Sequence, residues 1–179
     1  MKFRTILLVM VFILVSCSNN NKSDSNTETY SKGQSLVYDE VSQKNILQVA
    51  IGSSDHTTLV AAVQAAGLED VLANAGPLTV FAPNNAAFDK LPEGVVSDLL
   101  KPENKNKLAN IITYHAAPGT YKGNMIKSVM GIGQATGDKV NVEIIDDETF
   151  VNGAKILETV QASNGVVHVI DSVLLPPEK

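Results

Sequence analysis

The stretch TVFAPNNAAFDKL, residues 79–91, turns a strand into a helix within a few residues. Thr79, Val80, Phe81 and Ala82 read as a strand, and Pro83 stops it because proline has no amide to give the ladder. Asn84 or Asn85 then suits an N-cap, a side-chain oxygen accepting from the first free amides of a helix over Ala86 to Leu91. Phe88 and Leu91, three apart, place their bulk on one helix face. A second stretch, NGVVHVIDSVLLP at residues 164–176, reads as a strand on which His168, Ile170 and Ser172 share one face and Val167, Val169 and Asp171 the other. A polar group on each face is not the pattern of a simple half-buried strand.

Outward from these segments, the order of elements is helical first and strand-rich afterwards, an α+β arrangement and not the alternation of a parallel sheet. Leu59, Val60, Val63, Ala66 and Leu68 recur at helical spacings within residues 57–72, and Gly67 breaks the run into two short helices. Residues 95–100 and 105–115 continue the helical pattern, with Pro102 as a stop between them. From Gly137 onward, KVNVEII, TFVNGAKIL and NGVVHVIDSVLL are short β-type runs. Asn152-Gly153 and Asn164-Gly165 supply residues that tolerate positive φ in tight hairpins, so the sheet is expected to be mainly antiparallel.

These stretches resemble the signature segments of the fasciclin domain family. NILQVA, TTLVAAVQAAGL, YHAAPG and FVNGAKI occur around them in the family's order, so the resemblance covers nearly the whole of residues 44–176. One departure is Asn84, where the family often carries Ser or Thr, and asparagine also caps. The resemblance implies two mainly antiparallel β-sheets set as a wedge and flanked by several short α-helices. It also implies an extracellular adhesion and interaction module. Adhesion in some animal members is attributed to a tyrosine-histidine motif with its aliphatic neighbours, which here are Tyr114 and His115 with Ile111 and Ile112. These four are the partner-binding candidates.

The 179 residues, 44% of them apolar, suffice for one core and leave chain over. Lys2 and Arg4 precede an unbroken apolar run from Ile6 to Val15, the layout of an export signal too short to span a bilayer. The run ends at Leu14-Val15-Ser16-Cys17, which resembles a bacterial lipobox and implies lipid attachment at Cys17, the chain's one cysteine, so no intrachain disulfide is possible. Residues 1–16 are thus expected to be a lipoprotein signal peptide. Residues 17–35, polar and without an aliphatic side chain after the cysteine, are expected to be a lipid-anchored flexible tether, and residues 36–179 a single fasciclin domain. Ser18, which is not aspartate, fits outer-membrane sorting by resemblance to lipoprotein signals, with the periplasmic or surface face left open. Loss of Lys2 and Arg4 with the leader takes the formal net charge from −5 to −7, which disfavours nucleic acid as a partner.

Chemistry-bearing residues are sparse. His56, His115 and His168 have no zinc-ligand spacing, and His115 and His168 read as hydrogen-bonded core histidines. Asp171 reads as an acceptor for backbone amides, and Asp146-Asp147-Glu148 as a solvated turn. Ser53-Ser54-Asp55-His56 contains hydrolase residue types, but a triad is a matter of geometry, and capping by Asp55 or Thr57 explains the cluster. Neither catalysis, cofactor nor metal is expected. The expected function is a lipid-anchored cell-envelope module for adhesion or for contact with a protein or matrix polysaccharide, with homophilic association possible. The alternative is a periplasmic or surface lipoprotein that binds a polysaccharide or small ligand.

Overall fold

A computed structural model describes residues 43–177. The signal peptide, Cys17, the tether and the expected domain start at Leu36 lie outside the described residues.

Helix α1 (Ile46–Ile51) opens with a capping box, Asn45 accepting from the Gln48 amide while the Gln48 side chain accepts from the Asn45 amide. Helix α2 (Thr57–Ala66) ends where Gly67 takes the left-handed conformation (φ 70°), and α3 (Glu69–Asn74) follows, the break that Gly67 predicts. Strand β1 (Leu78–Pro83) leads into α4 (Asn85–Asp89) with Asn84 as N-cap, its Oδ1 accepting from the Ala87 amide at 2.9 Å. Next come α5 (Val95–Leu99), a 3-10 turn from Pro102 to Asn104, and α6 (Lys105–Tyr114). The remainder is β2 (Ala116–Pro118), α7 (Asn124–Lys127), β3 (Gly131–Gly133), β4 (Lys139–Ile145), β5 (Glu148–Val151), β6 (Ala154–Ala162) and β7 (Gly165–Ile170).

The seven strands form one hydrogen-bonded order, β2-β1-β7-β6-β5-β4-β3. Pairing is antiparallel except between β1 and β7, which run parallel with Phe81 beside His168. The two signature segments are therefore neighbouring interior strands, second and third in the order. Strand β6 links the two ends of this order: Ala154 and Lys155 pair with β5, and residues 156–162 pair with β7 across a register irregularity between Ile156 and Glu158. A bulge of this kind bends a strand. At the ends of the order, the Ala135 amide donates to the Ala116 carbonyl at 2.7 Å, so the sheet is nearly barrel-shaped.

This curvature creates two cores. The helices cover one face, where Leu59, Val63, Leu108, Ile111 and Ile112 meet Val80 and Val167. Inside the curve, Phe81, Tyr114, Ile132, Val140, Val151 and Ile170 pack together. Strand β7 lies between them with all six residues buried, which accounts for apolar side chains on both of its faces. Leu78 and Gly165 touch so closely that a Cβ at position 165 would lie 1.9 Å from the Leu78 carbonyl oxygen.

The two Asn-Gly turns differ. Asn152 and Gly153 take positive φ (48° and 81°) as expected of a tight hairpin. Asn164 does not, and it acts through its side chain. Oδ1 accepts from the Ile46 amide at 2.9 Å, and Nδ2 donates to the carbonyls of Leu72 and Ala75 at 2.9 Å each. The sheet's central hairpin is thereby pinned to the start of α1 and the end of α3. The expected cap of α2 is also corrected. Neither Asp55 nor Thr57 caps it; α4 abuts its start, and Asn85 Oδ1 accepts from the Thr58 amide at 3.1 Å.

Candidate interaction site

Amphipathic spacing directs Leu108, Ile111 and Ile112 of α6 onto the sheet, and the chain leaves this helix directly into β2. Tyr114 at its last turn is consequently aimed inside the curve, where its hydroxyl accepts from Asn152 Nδ2 at 3.0 Å and lies 3.4 Å from the Lys139 carbonyl. His115 is fully enclosed between α6 and the C-terminal segment. Its Nδ1 donates to the Ile111 carbonyl at 2.8 Å and its Nε2 accepts from the Leu174 amide at 3.0 Å, a pairing that fixes the neutral tautomer. Burial lowers its pKa from 6.5 to about 4, against the opposing Ile111 bond.

Ile111, Ile112, Tyr114 and His115 are respectively 8%, 6%, 2% and 4% exposed. Ile112, Tyr114 and His115 are therefore internal and present no partner contact, His115 being the core histidine that its setting predicts, while an edge of Ile111 reaches the surface groove. They hold α6, the hairpins and the C-terminal segment together.

This groove, of about 680 Å³, lies between α5, α6 and the C-terminal segment. Val95, Leu99, Leu175 and the edge of Ile111 line it, with Glu93 and Lys107 among its polar residues. Leu175 is 58% exposed there, one residue beyond the amide that His115 grips. Such a mixture of apolar area and charged groups is suited to a protein contact.

The other histidines are also engaged structurally. His168 accepts from the Thr159 hydroxyl at Nδ1 (2.8 Å), donates from Nε2 to the Tyr121 carbonyl (2.7 Å) and stacks on Phe81. Burial lowers its pKa, with the Tyr121 bond opposing. His56 Nδ1 lies 2.8 Å from Ser53 Oγ, while its Nε2 is buried without a well-formed hydrogen bond. Burial lowers His56 as well, with Asp55 opposing. The Asp55 carboxylate bonds Ser54 and not the imidazole, so the cluster does not assemble a triad. Asp171 accepts from the Lys155 amide at 2.9 Å and pairs with Lys90. Burial would raise its pKa, but these bonds together with Ser172 hold it below the usual carboxylate range. Among the described residues, no three His, Cys, Asp or Glu groups are placed to hold a metal ion.

Sequence reasoning missed Asn164, Asn85 and Thr79 as organising groups. Buried Thr79 donates from Oγ1 to the Gly119 carbonyl at 2.8 Å and accepts from the Tyr121 amide at 2.9 Å. The available signal was a small polar residue set in or beside an apolar run, where burial without a partner is costly.

The fold is an α+β module with a surface cleft between α5, α6 and the C-terminal segment. The chain belongs to the fasciclin domain family, whose pattern it matches over residues 54–176. It is 46% identical over 137 residues to Protein sll1483 of Synechocystis sp., covering 76% of each chain. Immunogenic protein MPT70 of Mycobacterium tuberculosis is 34% identical over 147 residues, 76% of this chain and 72% of that one. Among solved structures, a FAS1 domain pair from the insect cell adhesion molecule Fasciclin I superposes with a TM-score of 0.66 at 16% identity. That match covers 74% of this chain and 51% of the domain pair, and establishes likeness of fold.

Proposed function

We propose that this protein is a non-catalytic binding module of the cell envelope, tethered by lipid at Cys17 to the outer membrane and mediating adhesion or contact with a matrix protein. The observation that carries the reading is the groove between α5, α6 and the C-terminal segment, an apolar strip with charged neighbours. The similarity of fold to a domain pair from a cell adhesion molecule supports it. The anchor rests on the lipobox-like Leu14-Val15-Ser16-Cys17, and two or more acyl chains hold a protein at a membrane far better than one.

The test has two arms. Cells producing the wild type are compared with cells producing Leu175→Glu for attachment to a protein-coated surface and for aggregation; adhesion should fall in the variant. Equal adhesion by cells lacking the protein altogether would sink the reading. In the second arm, Cys17→Ala should release the protein from the membrane fraction, and protease treatment of intact cells reports which face it occupies. Retention of the Cys17→Ala protein in membranes would remove the anchor from the proposal.

A further inference from the structure

We propose that residues 173–177 form an acid-released clasp, held in place while His115 is neutral and let go when its imidazole takes a proton. Asp171 is the last residue before them that the sheet secures. Its amide donates to the Lys155 carbonyl at 3.2 Å, and its carboxylate accepts from the Lys155 amide and pairs with Lys90. Among the described residues, the one hydrogen bond made by residues 173–177 runs from the Leu174 amide to His115 Nε2, at 3.0 Å. Their other hold is apolar, Val173 against the helix-covered core and Leu174 inside the curve. The segment can therefore leave without breaking a strand pair or a helix turn. His115 cannot, because its amide donates to the Ile112 carbonyl and its carbonyl accepts from the Phe81 amide.

Protonation turns Nε2 from an acceptor into a donor aimed at another donor, while Nδ1 is already committed to the Ile111 carbonyl. The ring borders two apolar spaces, one beneath the clasp among Phe88, Leu99, Leu108 and Val173, the other towards α1 among Leu47 and Val63. His115 is the one titratable residue that lines either. On the elements packed against it, His56 before α2, Asp89 of α4, Lys105 of α6 and His168 of β7 border neither space. Asp98 of α5 bonds Lys101, Lys107 of α6 and Glu93 line the outer groove, and Lys90 pairs with Asp171. An imidazolium in this setting has no counter-charge, and moving the clasp aside gives it water. Burial holds the ring at a pKa of about 4, so neutral conditions keep the clasp shut. Release withdraws Leu175 from the α5–α6 groove and uncovers Phe88, Leu99 and Leu108. The clasp thus regulates that groove, and its biological consequence rests on the contact reading above.

The test follows amide exchange residue by residue in the full chain, with no partner added, so that it can fail while the adhesion reading stands. After correction for the intrinsic pH dependence of exchange, protection of the Leu174 amide should fall roughly twentyfold from pH 7 to pH 5, given a ring pKa of about 4 when held and 6.5 when freed. Exchange there should be faster than at Val167 in β7 and insensitive to low denaturant, the marks of a local opening. In His115→Gln, whose side chain keeps a donor for Ile111 and an acceptor for Leu174, the fall should vanish. A direct titration of the wild-type imidazole, which needs no variant, should find His115 neutral down to about pH 4. Leu174 protection equal to that of Val167 overturns the proposal, since the clasp then opens only with the whole fold. So does protection that stays level from pH 7 to pH 5, or an imidazole that titrates as an ordinary histidine.

Discussion

Strands β7 and β4 have similar lengths and opposite lessons. All six residues of β7 are buried, with helices on one face and the curved sheet's interior on the other. In β4, only Val140 and Val142 are buried, and Lys139, Asn141, Glu143, Ile144 and Ile145 face water. Double burial removes alternation from a sequence and obliges each polar atom to find its partner in place, as His168 does with Thr159 and Tyr121. Single burial preserves alternation and leaves polar side chains to water, so their replacement disturbs little.

The largest effect that would sharpen this contrast is expected from Gly165→Ala. Its Cβ would meet the Leu78 backbone at 1.9 Å, and backbone within a central parallel ladder cannot yield cheaply. A loss of more than about 3 kcal/mol is expected in denaturant unfolding. A fully stable variant would break the account of the β1–β7 contact.

Next is Asn164→Ala, which strips hydrogen-bond partners from Ile46, Leu72 and Ala75 together. The expected cost is about 3 kcal/mol, read in the same experiment, with exchange protection falling first at the start of α1. A cost confined to the β6–β7 hairpin would contradict its role as a hub.

His115 supplies a pH dependence. Its folded pKa is about 4 against 6.5 for an ordinary histidine, so between those values the unfolded chain binds more protons. Stability from this group is complete above about pH 6.5 and is lost as pH falls towards 4. At pH 5 the loss relative to pH 8 is about 2 kcal/mol, from the wild type minus His115→Gln difference in unfolding free energy. His56 and His168, lowered in the same direction, keep some slope in the variant. Identical pH profiles for the two proteins would mean that the imidazole is not locked as described.

Asn85→Ala should cost about 1 kcal/mol, the usual effect of losing a helix cap, though the cap belongs to α2 and the residue to α4. Smallest is Ile145→Thr on the wet side of β4, expected within about 0.5 kcal/mol of wild type. A large loss there would show that this face is covered in solution.

Much of this was legible in the chain. The Pro83-Asn84 corner, the Gly67 break, the Pro102 stop and the Asn152-Gly153 hairpin follow from local chemistry: ring closure, cap geometry and tolerance of positive φ act within a few residues. The alternation of β4 was readable for the same reason. Hidden were the parallel pairing of β1 with β7, the short strands β2 and β3, and the exchange of a cap between α4 and α2. These depend on which segments meet across long stretches of sequence. The candidate site fared likewise: YHAAPG stood out and its His read as a core histidine, but its Tyr turned out to be buried as well.

The sequence by itself determined the helical first half and the strand-rich second half, the polar N-terminal stretch with its lone Cys17, the acidic balance, and the presence of a fasciclin pattern, because each is carried by neighbouring residues. The tertiary structure alone decided that Tyr114 is internal, that Asn164 joins three elements, and that a groove forms beside Leu175. Burial and backbone pairing are properties of segments brought together, and no local stretch of chain contains both partners.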